Sequence, residues 1–311
     1  MARVLSTSEG THRGAFTPLD WVLFLSIGGV WGSSFVLIST GLEAFEPGLV
    51  TWLRVLSGAA VLWFVPAARV SIDVTDRPRL VAVSLLWVAI PFTLFPLAQQ
   101  HVSSAVAGMI NGSLPIMAVL IGSLMLRRLP TILQLAGLAL GATGVAAIAI
   151  STASAGSSEA FGVALLLLAV LGYGVAINIV APLQQRYGSV PVMAKMLALA
   201  ALWTTPFGLV SVPASSFSWA SLAAVATLGA VGTGFAFVVM GRLVGRVGSS
   251  RASFAIFLVP VVALVLGVVL RSEEVALVAV IGIALVIVGA ILASRGDRAA
   301  EAPPTADGAV A

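Results

Sequence analysis

Few residues in the chain can do chemistry, and most of them stand inside long apolar runs. Arg54 falls in the run 47–66, Asn111 in 102–126, Tyr173 and Asn178 in 161–182, Thr233 in 219–241, and Trp31, Ser33 and Ser34 in 19–41. A polar side chain surrounded by hydrocarbon is costly, so each is a candidate either for contact with a solute or for a bond that holds helices together. Arg54 lies seven residues into its run, roughly 10 Å along a helix at about 1.5 Å per residue. At that depth it either snorkels to the interface or faces an aqueous cavity and attracts a carboxylate. Asn111 carries a donor and an acceptor that both need partners. Trp and Tyr usually belong to the membrane interface, so Trp31 and Tyr173, placed mid-run, suggest a cavity wall, with plain core packing as the alternative. For Trp87, Thr93, Phe235, Phe254 and Phe257, packing or lipid contact is the better reading. Lys195 and Arg251 lie close enough to the ends of their runs to snorkel.

Covalent and metal chemistry find little to work with. The chain has no cysteine and only two histidines, His12 and His101, with no HExxH and no pair of acids inside an apolar run. No metal or other cofactor is expected. Ser113, in Gly112-Ser113-Leu114-Pro115, lacks the second glycine of a nucleophile elbow. A Ser113–His101 dyad is the one hydrolase arrangement the spacing permits. The net charge of +4 and pI near 10.6 do not make a nucleic-acid footprint, because the basic residues stand singly between apolar runs.

The elements that would position these residues follow from composition. Of 311 residues, 59% are hydrophobic and 9% charged, against about 25% charged in an ordinary soluble domain. Lipid must be the solvent. Apolar runs long enough to cross about 30 Å of hydrocarbon fall at 19–41, 47–66, 80–98, 102–126, 130–151, 161–182, 191–213, 219–241, 248–270 and 274–293. The fold class is therefore all-α and integral to a membrane, with ten transmembrane helices. Pro47, Pro130 and Pro191 mark helix starts. Residues 1–18 read as a polar N-terminal segment, 19–151 and 161–293 as two five-helix units, and 294–311 as a disordered tail too polar to fold.

Arginine fixes the orientation, because cytoplasmic loops hold the positive excess. With the N-terminus inside, the cytoplasmic segments hold Arg3, Arg13, Arg69, Arg77, Arg79, Arg127, Arg128, Arg186, Arg242, Arg246, Arg295 and Arg298. The other loops hold Glu43, Glu46, Glu159, Glu273 and Glu274 against Arg271 alone. Both termini are expected in the cytoplasm of a cell bounded by a bacterial-type plasma membrane.

The chain also repeats. Residues 102–148 align on 247–293 at a constant offset of 145, pairing Pro115 with Pro260, Gly122 with Gly267, Gly137 with Gly282, Gly144 with Gly289 and Ser104 with Ser249. Trp31-Gly32 corresponds approximately to Tyr173-Gly174. An odd number of spans per repeat forces opposite orientations, and Arg127-Arg128 accordingly becomes Ser272-Glu273 in the second copy. Inverted repeats of this kind are the architecture of many secondary transporters, with the substrate near the midplane where the repeats meet.

With Trp31-Gly32-Ser33-Ser34-Phe35, Arg54 and the twice-used Pro/Gly block, the sequence resembles the drug/metabolite transporter superfamily and its EamA-like members. The resemblance covers about residues 19–293, and departs where the family often places a Glu and this chain has Arg127. It implies export or exchange of a small metabolite, such as an amino acid or a related amphipathic solute, by alternating access, with Trp31, Ser33, Ser34, Arg54, Asn111, Tyr173, Asn178 and Thr233 as candidate contacts. The expected partners are a small-molecule substrate and the lipid bilayer. A channel or a non-transporting scaffold is the alternative; conductance or lack of flux would mark it, where a carrier shows saturable uptake. Every acid lies in a tail, a loop or, like Asp20, at a span end, so no intramembrane group suits proton coupling, and an arginine stays charged throughout the physiological range.

The orientation is directly testable because the chain lacks cysteine. Single cysteines at Glu43 or Ser157 should react with an impermeant reagent added to intact cells, and those at Ser71 or Ala299 should not. Reversed labelling would overturn the assignment.

Overall fold

The computed structural model describes residues 15–127 and 129–301, and all regular structure among them is helical. Ten apolar helices cross the bundle: α1 (Pro18–Leu42), α2 (Pro47–Trp63), α3 (Val74–Gln99), α4 (Ser104–Met125), α5 (Ile132–Ala153), α6 (Ser157–Tyr187), α7 (Ser189–Ser211), α8 (Trp219–Val247), α9 (Ser253–Arg271) and α10 (Leu277–Glu301). Eight are long and apolar enough to span a bilayer; α2 and the apolar part of α10 are shorter. The 17 residues of α2 rise about 25 Å, near the lower limit for a crossing. The helices alternate in direction, so the start of α1 and the end of α10 share one end of the bundle. That end is called the terminal face below, and the other the opposite face.

Local chemistry explains most boundaries. Thr17 and Asp20 form a reciprocal capping box at the start of α1, Pro47 opens α2, and Thr131 with Gln134 makes a second box that starts α5. Pro130 thus precedes its helix instead of opening it, because the threonine hydroxyl takes the capping role. Pro191 sits two residues inside α7, which begins at Ser189. Helix α6 continues past Pro182, where the sequence suggested an end; Val180 and Leu183, both buried in the core, hold it on course across the proline. The last helix runs to Glu301, so residues 294–301, expected in the disordered tail, are helical. Alanine, arginine and glutamate there are strong helix formers, and extending an existing helix adds one bond per residue. Residues 1–14, with Arg3, His12 and Arg13, residue Arg128, and 302–311, with Pro303 and Pro304, lie outside the described residues.

Irregular backbone occurs in pairs related by the repeat. Helices α3 and α8 each contain a π turn, at Ser84–Ala89 and Ala230–Phe235. In α4 the ladder is interrupted at Gly112-Ser113, just before Pro115, and α9 opens with a 3₁₀ stretch, Ser253–Phe257, just before Pro260. Proline has no N–H to offer the preceding turn, and its ring crowds that turn's carbonyl. The left-handed residues Arg127 (φ 51°) and Ser272 (φ 52°) are also related by the 145-residue offset, each ending the Pro-bearing helix of its repeat.

The most extensive helix pair joins the two repeats, α5 against α10. Gly137 faces Gly289 and Gly144 faces Gly282, so twin residues meet crosswise about the pseudo-two-fold axis. A Cβ at Gly282 would lie 2.8 Å from the carbonyl oxygen of Gly144, and one at Gly289 would lie 2.6 Å from that of Gly137. Backbone contact this close requires glycine on both sides.

Gly144→Leu should therefore lower the apparent melting temperature of the purified protein by the equivalent of about 1–3 kcal/mol, or prevent folding, as overpacking does. Ser272→Gly should raise it by about 1 kcal/mol, the order of the left-handed penalty that glycine escapes. Opposite signs for either variant in a detergent melting series would contradict the geometry.

Candidate functional site

The site grows from the seating of α2. One turn before Arg54, the hydroxyl of Thr51 donates to the carbonyl of Phe92 on α3 at 2.9 Å, and its oxygen also lies 2.9 Å from the carbonyl of Pro47. This bond fixes α2 against α3 and brings the Phe92 ring under Arg54, whose guanidinium carbon lies 3.6 Å from the ring centroid. From the second repeat, the hydroxyl of Thr233 accepts from Arg54 Nε at 3.2 Å and donates to the carbonyl of Leu228, five residues back, at 3.1 Å. The π turn in α8 is what aims Thr233 at this point.

Arg54 is 7% exposed and Thr233 1% exposed. No carboxylate of the described residues forms an ion pair with Arg54. A desolvated cation–π contact contributes about 2 kcal/mol or somewhat more, against the several kcal/mol that removing a charge from water costs. The guanidinium is thus held by a ring and a hydroxyl, without an anion to neutralise it.

Around this centre lie most of the residues the sequence singled out. Ser34 is buried and bonds its own turn at Val30; its Oγ lies 3.4 Å from where a Cβ on Gly232 would stand. Trp31 packs edge-on to Phe237 at 6.0 Å, and Tyr173 stacks on Phe95 at 5.9 Å with Trp87 at 6.4 Å. Trp31 and Tyr173 both pack on the two larger core clusters, which makes them the seam between these clusters. At the centre itself Arg54, Ser34 and Thr233 are buried, and Trp31 and Tyr173 are half-buried. The groove beside it, about 280 Å³ between Leu53, Leu56, Ser57, Ala60, Leu222 and Ala226, opens on the outside of α2 and α8.

Other candidates lie apart from this centre. The Asn178 amide donates to the carbonyls of Ala118 (3.0 Å) and Gly174 (2.8 Å), tying α6 to α4. Ser33 turns back to Val30 at 3.0 Å. Asn111 is half-buried at the end of the first part of α4. Ser113 donates to the carbonyl of Ile110 at 2.7 Å, while His101 Nδ1 pairs with Ser158 at 2.8 Å, so these two residues form no dyad. Thr93 bonds Ala89, Phe235 is exposed on the outside of α8, and Phe254 packs on Phe257. Arg251 lies over the ring of Phe16 near the terminal face, and Lys195 is half-buried.

Sequence reasoning missed Phe92, Phe95 and Phe237. A signal existed: carried ten residues back, the 145-residue offset pairs Phe92 with Phe237, one ring under Arg54 and its twin against Trp31.

Polar ties join the helices at both ends of the bundle. On the terminal face Arg246 of α8 meets Asp20 of α1 at 2.5 Å and Thr17 at 3.2 Å, and Asp76 of α3 takes Arg186 (2.8 Å) and the Tyr187 hydroxyl (2.9 Å) from α6. On the opposite face Arg271 pairs with Glu43. Nearby, the Glu273 carboxylate caps α4, accepting from the Ser104 amide (2.9 Å), its hydroxyl (2.7 Å) and the Ala105 amide (2.8 Å).

Known proteins resemble this chain. The model of the EamA-like transporter family matches residues 19–150 and 160–295, one match per repeat. An uncharacterized transporter of Bacillus subtilis is 25% identical over 272 residues, covering 85% of this chain and 93% of its own. A probable terminal-alkyne amino-acid exporter of Streptantibioticus cattleyicolor is 28% identical over 284 residues, covering 88% and 93%. A crystal structure with 19% identity superposes at a TM-score of 0.62 over 90% of this chain and 98% of its own, a likeness of fold.

The terminal-face pair makes an asymmetric prediction. Asp20 is 0% exposed, whereas the Arg246 side chain is 25% exposed. Removing the arginine strands a buried carboxylate, whereas removing the aspartate leaves a cation that can turn to water. Arg246→Met should lower the melting temperature more than Asp20→Asn, and the reverse order would show that the pair does not carry the contact.

Proposed function

The chain belongs to the EamA-like transporter family of the drug/metabolite transporter superfamily, and from that premise we propose that it carries a small amphipathic carboxylate, an amino acid or close relative, across the membrane as an exporter or exchanger. One observation carries this reading: Arg54, buried without a carboxylate of its own chain, stands where α2 of the first repeat meets α8 of the second. A carboxylate offers the guanidinium two acceptors in the planar geometry it favours. The aromatic residues Phe92, Trp31 and Tyr173 would cover the apolar part of such a solute. The amino-acid exporter among the relatives supports the same class of cargo.

In this proposal the solute reaches Arg54 from one face at a time. Opening the terminal face separates Arg246 from Asp20 and Arg186 from Asp76; opening the opposite face separates Arg271 from Glu43. Ser34, Thr233, Trp31 and Tyr173 line the substrate path nearest Arg54, and Asn111, Ser33 and Asn178 lie further along it. Both termini are cytoplasmic in this reading, as the arginine distribution requires. The solute gradient sets the direction of flux, because Asp20, Asp76 and Glu273 at the span ends are engaged in ion pairs or hydrogen bonds and no acid of the described residues pairs with Arg54.

Proteoliposomes preloaded with each neutral L-amino acid in turn test this by counterflow of its radiolabelled form. At least one should exchange saturably, and Arg54→Gln should slow it about tenfold or more, the equivalent of losing a charged hydrogen bond of 1.5–3 kcal/mol. An imposed pH gradient should leave the initial rate unchanged. Counterflow by Arg54→Gln at the wild-type rate, or accumulation that follows the pH difference and collapses with a protonophore, would overturn the proposal.

A further inference from the structure

Gln99 closes α3 near the opposite face, and both its side-chain oxygen and its side-chain nitrogen are buried without a hydrogen-bond partner. No other described residue has buried side-chain atoms left in this state. A primary amide can donate twice and accept twice, so burying it unpartnered forfeits every bond it would make to water. A leucine of similar volume would pack there without that loss. The amide is therefore a buried polar group whose bonding capacity the folded bundle leaves free.

Its place on α3 says what that capacity is for. Gln99 lies four residues beyond Phe95 and seven beyond Phe92, on the same face of a regular helical segment. Phe92 underlies the guanidinium of Arg54, and Phe95 is stacked on Tyr173. Gln99 is thus the polar residue next met on this face in moving from the Arg54 centre towards the opposite face, roughly 10 Å further along the helix at about 1.5 Å per residue. At the outer end of that path stand the Glu43–Arg271 pair and the Glu273 cap on α4, the contacts that must part when this face opens.

We infer that Gln99 lines the opposite-face arm of the translocation route and hydrogen-bonds a second polar group of the solute as it passes between Arg54 and that face. The inference rests on reading the Arg54 centre as the place where the solute binds. An uncharged amide suits this position, because it can recognise an ammonium, hydroxyl or amide group without trapping a charge in the membrane. The cargo this selects is a carboxylate with a second hydrogen-bonding group, in preference to a plain fatty or aromatic monocarboxylate.

The absence of native cysteine makes the test direct. Gln99→Cys and, as a control, Ala98→Cys, which is fully buried in the core, are treated in membrane vesicles of each sidedness with a small, impermeant methanethiosulfonate reagent. Gln99→Cys should be modified from the side on which Glu43→Cys is modified, and Ala98→Cys should resist from both. Lack of modification from either side, or modification only from the other side, overturns the inference. Gln99→Leu supplies a readout that needs neither the thiol nor the solute: removing an unpartnered amide should leave the melting temperature of the purified protein unchanged or higher, and a clear fall would show that the amide has a structural partner and would overturn the inference as well. The two readings fail separately. Modified Gln99→Cys together with wild-type counterflow by Arg54→Gln would leave the route standing and remove Arg54 from it, whereas the converse pair of results would keep Arg54 and remove Gln99.

Discussion

Hydrocarbon offers a peptide group nothing to bond with, and this constraint governs the fold at every scale. Each crossing has to be a helix, and each departure from the helix has to be repaired from within the protein. The π turns of α3 and α8 and the proline breaks of α4 and α9 occur at repeat-related places inside the bundle, where neighbouring helices cover them. The hydroxyls of Thr51, Ser57, Thr204 and Ser113 bond backbone carbonyls of their own turns. With so little polar material in the membrane, whatever is left unrepaired stands out, and Arg54 and Gln99 are the two cases.

Those two residues lie between closures of a different kind. The centre is held by weak, adaptable contacts, a ring and a hydroxyl, whereas the two faces are held by ion pairs. Salt and water weaken the exposed tie of Arg271 to Glu43, but hardly reach the buried Asp20 carboxylate or the middle. Parting the opposite face therefore costs little more than exchanging protein partners for solvent, whereas parting the terminal face must also rehydrate Asp20. In the proposed function, such a division lets a solute take up one charge contact in the interior without rebuilding the core.

How much of this was legible depended on distance along the chain. Helices are local, so the ten crossings and the helix start at Pro47 could be read from runs and residue types, and the glycine and proline twins announced the repeat. Arg54 was visible as a cation in an apolar run. Its partner Thr233 stands 179 positions away, and Arg246 meets Asp20 across 226. No local pattern encodes such pairings; they exist only once the repeats are folded onto each other. Asn178 was seen as polar and deep, but its bond to Ala118 depends on how α6 crosses α4, which sequence periodicity leaves open. Gln99 was passed over because glutamine at the end of a run looks like an ordinary boundary residue, and only three-dimensional burial marks it out.

The crossed glycines of α5 and α10 have a mechanical consequence. Where backbones touch with no side chains between them, turning either helix about its own axis swings larger residues into the contact and drives the pair apart. The pair can neither roll nor slip, and it is made of one helix from each half. It joins the two halves as a fixed axle, and in the proposed alternating access the remaining eight helices rock around it.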